Sequence, residues 1–280
     1  MWKRKMIETK RGIFEVFVQG EGEAVCITHL YSEFNELGYY FADAFVHAFK
    51  VYLVNLKGAG RSSKPVVGAE MSMKESVGDL EAIREELGLE QWGFAGHSTG
   101  GMLGLVYATC FPDSLSKIMV GGATATNKYM EHEGSMYSPS SPLNKKWKEI
   151  FYIMESSQHT IEKKRAANRE WTDMSLYNKR KRDGYFQKPS SGRVVQRRLN
   201  YFSFYDLPSF DIQDELARVS IPAIVYCGRH DAQCPFIFSE DIDARLKNSK
   251  LYIFEESNHF PYLEEKEGFM TMVSDFMKRN

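Results

Sequence analysis

Two rhythms of apolar residues alternate along the first 122 positions and return after position 206. Short, mostly apolar runs at 24–28, 51–54, 91–95, 116–120, 223–226 and 250–254 read as strands buried on both faces. Residues 5–9 and 13–18 bracket Lys10-Arg11-Gly12 and read as an antiparallel hairpin. Between the buried runs lie stretches with apolar residues at helical spacing. One covers 41–49. Another opens on a capping box, Ser72 with Glu75, and runs to about Leu87, where Gly88 stops it. A third follows residue 98 and closes at Phe111-Pro112, and two more cover about 239–246 and 266–278. Strands alternating with helices in this order predict an α/β fold: a mainly parallel central sheet with helices on both faces.

The pattern changes at about Ala123. From there to Tyr205 no buried strand is evident, and aromatic and charged residues dominate: Trp147, Phe151, Tyr152, Trp171, Tyr177, Tyr185, Phe186 and the run Tyr201-Phe202-Ser203-Phe204-Tyr205. The organisation expected is a core in two parts, residues 1–122 and 206–280, interrupted by a helical cap at 123–205. Between Ser141 and Asp206 there are 15 Lys and Arg against 7 Asp and Glu, a net of +8, so the rest of the chain carries −9 to reach the overall −1.

Composition narrows the function classes. A balanced overall charge gives no global case for nucleic acid, and Lys179-Arg180-Lys181-Arg182 reads as a solvated face of the cap. No apolar stretch reaches the roughly 18 residues of a spanning helix, and the basic start Met1-Trp2-Lys3-Arg4-Lys5 is followed by no apolar signal region. A cytoplasmic, soluble protein without a membrane partner is the expectation. The four cysteines form no C-x-x-C pair, so no zinc site is expected. Cys26, Cys110 and Cys227 read as buried free thiols.

The candidate chemistry begins at Gly96-His97-Ser98-Thr99-Gly100, a G-x-S-x-G between a predicted strand and a predicted helix. That context suits a nucleophile elbow, in which a tight turn lifts the serine hydroxyl clear of the sheet. The turn brings the residues two before and two after the serine together, and both are glycine. The helix start would offer the Thr99 N–H to a developing oxyanion. A serine hydroxyl needs a base, and the base an orienting acid. Each late strand ends in such a residue: one in Arg229-His230-Asp231, the other in Asn258-His259.

These pieces resemble the α/β-hydrolase superfamily along nearly the whole chain. The matching segments are Gly96-His97-Ser98-Thr99-Gly100, the G-x-x-D-x-x-x-P stretch from Gly228 to Pro235, and Asn258-His259-Phe260-Pro261. Asn55-Leu56-Lys57-Gly58-Ala59-Gly60-Arg61-Ser62 is similar to the family's D-x-x-G-x-G-x-S loop, with Asn in place of Asp. The resemblance implies Ser98 as nucleophile, His259 as general base and then acid, Asp231 as the orienting carboxylate, and a cap inserted after the sixth strand. The family often has His-Gly-x after its third strand, the third residue giving a second oxyanion N–H. Here the run is His29-Leu30-Tyr31, so Tyr31 is the expected donor on a turn with Leu where Gly is usual. An Asp nucleophile would have pointed to a dehalogenase or epoxide hydrolase.

Rival residues have plainer readings. His29 is expected to hold the oxyanion loop by local hydrogen bonds, and His97 lies inside the elbow. His230 should point away from its neighbour Asp231. Asp206, Asp241 and Asp243 read as caps or solvated charges, and His132 and His159 as surface residues of the cap. The expected activity is hydrolysis of a small carboxylic ester, or an amide, through an acyl-enzyme, with no metal or organic cofactor. Homodimerisation stays open. The cap is loosely similar to that of proline iminopeptidase-like members, an aminopeptidase alternative opposed by Thr99, which stands where that group typically has Trp. A second alternative is a small-molecule sensor that keeps the triad and signals through its cap. If the cap charges face the pocket mouth, they would steer anionic substrates, with Arg193, Arg197 and Arg198 as further contributors beyond the 179–182 run.

Overall fold

The computed structural model describes residues 1–279. Eight strands form one main sheet. Strands β1 (Lys3–Thr9) and β2 (Gly12–Gln19) make the antiparallel hairpin. Strand β2 also pairs antiparallel with β5 (Lys50–Val54). From β5 through β3 (Ala24–Ile27), β6 (Trp92–His97), β7 (Leu115–Gly121), β9 (Ala223–Gly228) and β10 (Ser249–Phe254) every pair is parallel. Every residue of β6 and β9 is buried, as expected of strands covered on both faces. Two short strands, β4 (Ser32–Glu33) and β8 (Arg193–Val194), pair antiparallel outside this sheet and join the core to the cap.

Each face of the sheet has its own core. One is built with α2 (Met73–Glu86), α3 (Thr99–Cys110) and α8 (Phe236–Arg245). Ser72 caps α2, its hydroxyl accepting from Glu75 N at 3.2 Å. The opposite core is strongly aromatic and involves α1 (Tyr40–Asp43), α9 (Pro261–Glu264) and α10 (Lys266–Lys278). Helix α10 buries Phe269, Met272, Val273 and Phe276, which share one face at helical spacing. Truncating one of these rings to alanine typically costs ~3–5 kcal/mol.

The 41–49 stretch departs from the expected helix. Phe41, Phe45 and Phe49 are fully buried at helical spacing, yet α1 ends at Asp43. Beyond it Ala44, Phe45 and Ala48 donate to carbonyls three residues back, and only Phe49 reaches four back, to Phe45 O, so the segment is a succession of turns, mostly tighter than an α-helix. The apolar spacing is satisfied by turns as well as by a helix. Helix α8 begins three residues before the expected 239, directly after Pro235.

The cap contains α4 (Asn144–Glu155), α5 (Ile161–Met174), α6 (Arg182–Tyr185) and α7 (Gln196–Tyr201). No described helix is long and apolar enough to cross a membrane. Cys26, Cys227 and Cys234 are buried, but Cys110 is exposed. It is the last residue of α3, and Phe111 beyond it is also exposed, so the apolar run there outlasts the core.

Candidate active site

Ser98 lies between β6 and α3 with φ 57° and ψ −128°, the one non-glycine residue with positive φ among the described residues. A side chain there is strained, and the surroundings must enforce the conformation. They do so through close backbone packing. A Cβ on Gly96 would stand 2.1 Å from Gly100 O, and one on Gly100 would stand 2.4 Å from Thr28 O. The Ser98 N–H donates to Gly121 O at 2.8 Å, tying the turn to β7.

His259 and Asp231 meet beyond the ends of β10 and β9. His259 Nδ1 lies 2.8 Å from Asp231 Oδ2, with both side chains buried. The other carboxylate oxygen accepts from Gln233 N at 2.8 Å and Cys234 N at 2.9 Å, which fixes its rotamer. A carboxylate against Nδ1 selects the tautomer protonated there and leaves Nε2 free to accept a proton. The His259 N–H donates to Ser175 O of the cap at 3.1 Å.

The turn after β3 carries Tyr31. Leu30 keeps ordinary backbone, so the turn needs no glycine. His29 holds it to the elbow: Nδ1 meets Ser32 Oγ at 2.9 Å and Nε2 meets Thr99 Oγ1 at 3.1 Å. Burial, with smaller contributions from His259 and Arg198, pushes His29 down to about 3, so it stays neutral. Burial also lowers His97, helped by His259 and His29. Its Nδ1 pairs with Tyr226 Oη at 3.0 Å. The backbone N–H groups of Thr99 and Tyr31 donate to no acceptor among the described residues.

A family model described as the alpha/beta hydrolase fold matches residues 16–266. The chain belongs to this family. It is 45% identical to an alpha/beta fold family hydrolase from Bacillus anthracis str. Sterne, with a TM-score of 0.97 and 99% of both chains covered. Over 235 residues, 81% of each chain, it is 25% identical to the proline iminopeptidase of Heyndrickxia coagulans. The N-acyl homoserine lactone degrading enzyme Est816 shares the fold at 18% identity and a TM-score of 0.72, over 97% of this chain and 100% of that one. General serine-hydrolase and esterase chemistry is typical of the fold.

Two chambers of this α/β hydrolase meet at Ser98. The larger, about 280 Å³, is mostly aromatic and aliphatic, with Tyr129, Trp147, Phe151, Leu199 and Phe202 in its wall, and Glu155 is its one carboxylate. The smaller, about 180 Å³, is lined by polar groups that include Asn168, Thr172 and Ser175. Tyr31, Ser98, Trp171, Gln233 and His259 border both. The sequence did not single out Gln233 as a wall residue, although it stands two residues after Asp231 inside the recognised motif. Its amide is fixed by Tyr137 Oη at 2.6 Å and Ser175 Oγ at 2.9 Å. Nothing local in the sequence marked Ser175.

Of the rival residues, His29 and His97 line the smaller chamber, and the others lie elsewhere. His230 stacks on Tyr177 with ring centroids 4.7 Å apart. Asp206 accepts from Met73 N at 3.0 Å and so caps α2. Asp241 pairs with Arg245 at 2.8 Å. None of Lys179, Arg180, Lys181 and Arg182 lines either chamber. Arg193 and Arg197 are exposed, but Arg198 is buried. A residue read as an exposed cap charge is an interior one, because backbone carbonyls of three core segments converge on it.

Proposed function

We propose that the chain hydrolyses a small, largely apolar carboxylic ester through an acyl-enzyme, with Ser98 as nucleophile, His259 as base and Asp231 as its orienting acid. The observation that carries this reading is the His259–Asp231 pair at 2.8 Å, with His259 bordering the same two chambers as the strained Ser98. Ser98 Oγ attacks the acyl carbon while His259 Nε2 takes its proton. Asp231 stabilises the imidazolium. The Thr99 and Tyr31 N–H groups receive the oxyanion. His259 then protonates the leaving alcohol, and water activated by the same ring cleaves the acyl-enzyme. The cap is taken as residues 123–205, and its aromatic wall favours an apolar portion of the substrate.

A second reading, cleavage of an amide next to an N-terminal residue, draws support from the proline iminopeptidase relative and from Glu155 in the larger chamber. One panel tests both: aryl and alkyl esters beside prolyl and other aminoacyl arylamides. Ser98→Ala should abolish turnover and labelling by a fluorophosphonate while the melting temperature holds. Turnover and labelling that survive in this variant would remove Ser98 from the mechanism. Faster cleavage of the prolyl arylamide than of every ester would favour the aminopeptidase.

A further inference from the structure

We infer that Arg198, a cap residue, is a positioning residue for the oxyanion turn: it fixes and polarises the peptide whose N–H belongs to Tyr31. The inference rests on the serine-hydrolase reading and adds a cap contribution to it.

Arg198 is 1% exposed. Its Nε donates to Leu30 O. Its Nη1 donates to Lys57 O at 2.8 Å, and its Nη2 to Met71 O at 3.3 Å and Ser76 Oγ at 2.8 Å. No carboxylate lies within 4.0 Å of it among the described residues. Asp79 and Asp206 act on it only from farther away. Burying a cation without a direct counter-ion is costly, and hydrogen bonds to carbonyl dipoles offset that cost only when several converge. The guanidinium therefore has one arrangement.

That arrangement reaches the site through a single peptide plane. Leu30 O and Tyr31 N belong to the same planar unit and point in opposite directions. Fixing the oxygen fixes the direction of the N–H. A cationic donor on the oxygen also polarises the amide and strengthens its N–H as a donor. The next peptide is held from the cap too, since Val195 N donates to Tyr31 O at 2.7 Å. The cap thus grips Tyr31 on both sides, where Leu30 occupies the position the family often gives to glycine.

The test compares oxyanion binding with ordinary binding. An aryl-alkyl trifluoromethyl ketone accepts Ser98 Oγ at its carbonyl carbon. The hydroxyl proton passes to His259 and the ketone oxygen becomes the oxyanion. The corresponding secondary alcohol fills the same chamber without forming one. Removing an oxyanion donor outright costs about 10²–10³ in rate, so misaiming one in folded Arg198→Lys should lower kcat about tenfold or more with little change in KM. The ketone should weaken in step with kcat, and the alcohol by less than about twofold. If kcat stays within twofold of wild type, or ketone and alcohol weaken alike, the inference is overturned and Arg198 is structural only. Should Arg198→Lys not fold, Ser76→Ala decides the matter, because it removes one anchor of the guanidinium. There the ketone should weaken about two- to fivefold more than the alcohol, and equal affinities reject the idea. Ser98→Ala separates the two readings: turnover surviving in it refutes the hydrolase assignment, whereas its loss beside an unimpaired Arg198→Lys refutes only the role of Arg198.

Discussion

At the scale of single residues, the environment of each ring decides its chemistry. Asp231 uses one oxygen for two backbone N–H groups and the other for His259. An asparagine there must keep its carbonyl oxygen toward the backbone donors, which turns its NH₂ toward Nδ1. The ring is forced into the wrong tautomer, and Asp231→Asn should lose about three to four orders of magnitude in kcat. Steady-state kinetics on the best ester of the panel checks this; a loss below tenfold would assign the orienting role elsewhere. His29 offers the complementary case. Held at about 3 by burial, it is neutral throughout the range in which the enzyme would be assayed. His29→Gln should lower the rate by loosening Thr99, yet leave the midpoint of the kcat/KM–pH profile within about half a unit. A larger displacement of the midpoint would show that His29 titrates with the active site.

At the scale of elements, two junctions set the site. The elbow depends on a strand and a helix approaching closer than any Cβ allows. Gly96→Ala would place a methyl 2.1 Å from Gly100 O. Neither backbone has room to yield, so this variant should melt by at least several degrees less than wild type and lose most activity. Thermal denaturation with an unchanged midpoint would contradict the packing. The second junction ties the segment that returns from the cap to the start of α2. Asp206 caps α2 through Met73 N, and burial raises its carboxyl from 3.8 to about 6. The folded state therefore holds the proton more tightly than the unfolded chain. Below pH 3.8 both forms are protonated and there is no penalty. As pH rises from there to about 6 the penalty grows, and above that it is constant. Screening of this partly exposed group leaves about 1–2 kcal/mol. Asp206→Asn keeps an acceptor for Met73 N, so it should raise the melting temperature at pH 8 relative to wild type by more than it does at pH 4. Equal shifts at both values would assign the pH dependence to another group.

At the scale of the whole molecule, charge and cavity are separated. The cap carries a net of +8, but the basic run at 179–182 lines neither chamber. Arg198 is consumed by carbonyls, and several other cap cations pair with acids: Lys146 with Glu170 at 2.9 Å, Arg182 with Asp173 at 2.9 Å and Lys188 with Asp43 at 2.6 Å. Matched neutral and anionic esters should therefore give the same dependence of kcat/KM on salt from about 0.05 to 0.5 M. A steeper fall for the anionic ester would restore electrostatic steering by the cap.

Much of the frame was legible because its signals are local. Uninterrupted apolar runs, a capping box and the glycines around Ser98 each constrain only a few neighbouring bonds, and they located the sheet strands, α2, α10 and the elbow. The motif order likewise pointed to Ser98, Asp231 and His259, although they are far apart in the chain. The sequence was less informative where one pattern satisfies two structures, as at 41–49, whose buried phenylalanines serve a chain of turns. It was silent where a residue's partner comes from another segment. Arg198 has the composition of a surface residue and the surroundings of a core one, because Leu30, Lys57, Met71 and Ser76 meet it only after the cap closes on the sheet. The division of the candidate site into an apolar chamber and a more polar one has the same origin. Cavity walls are drawn from several loops and helices at once, and no periodicity within one segment encodes which of its side chains will face the others.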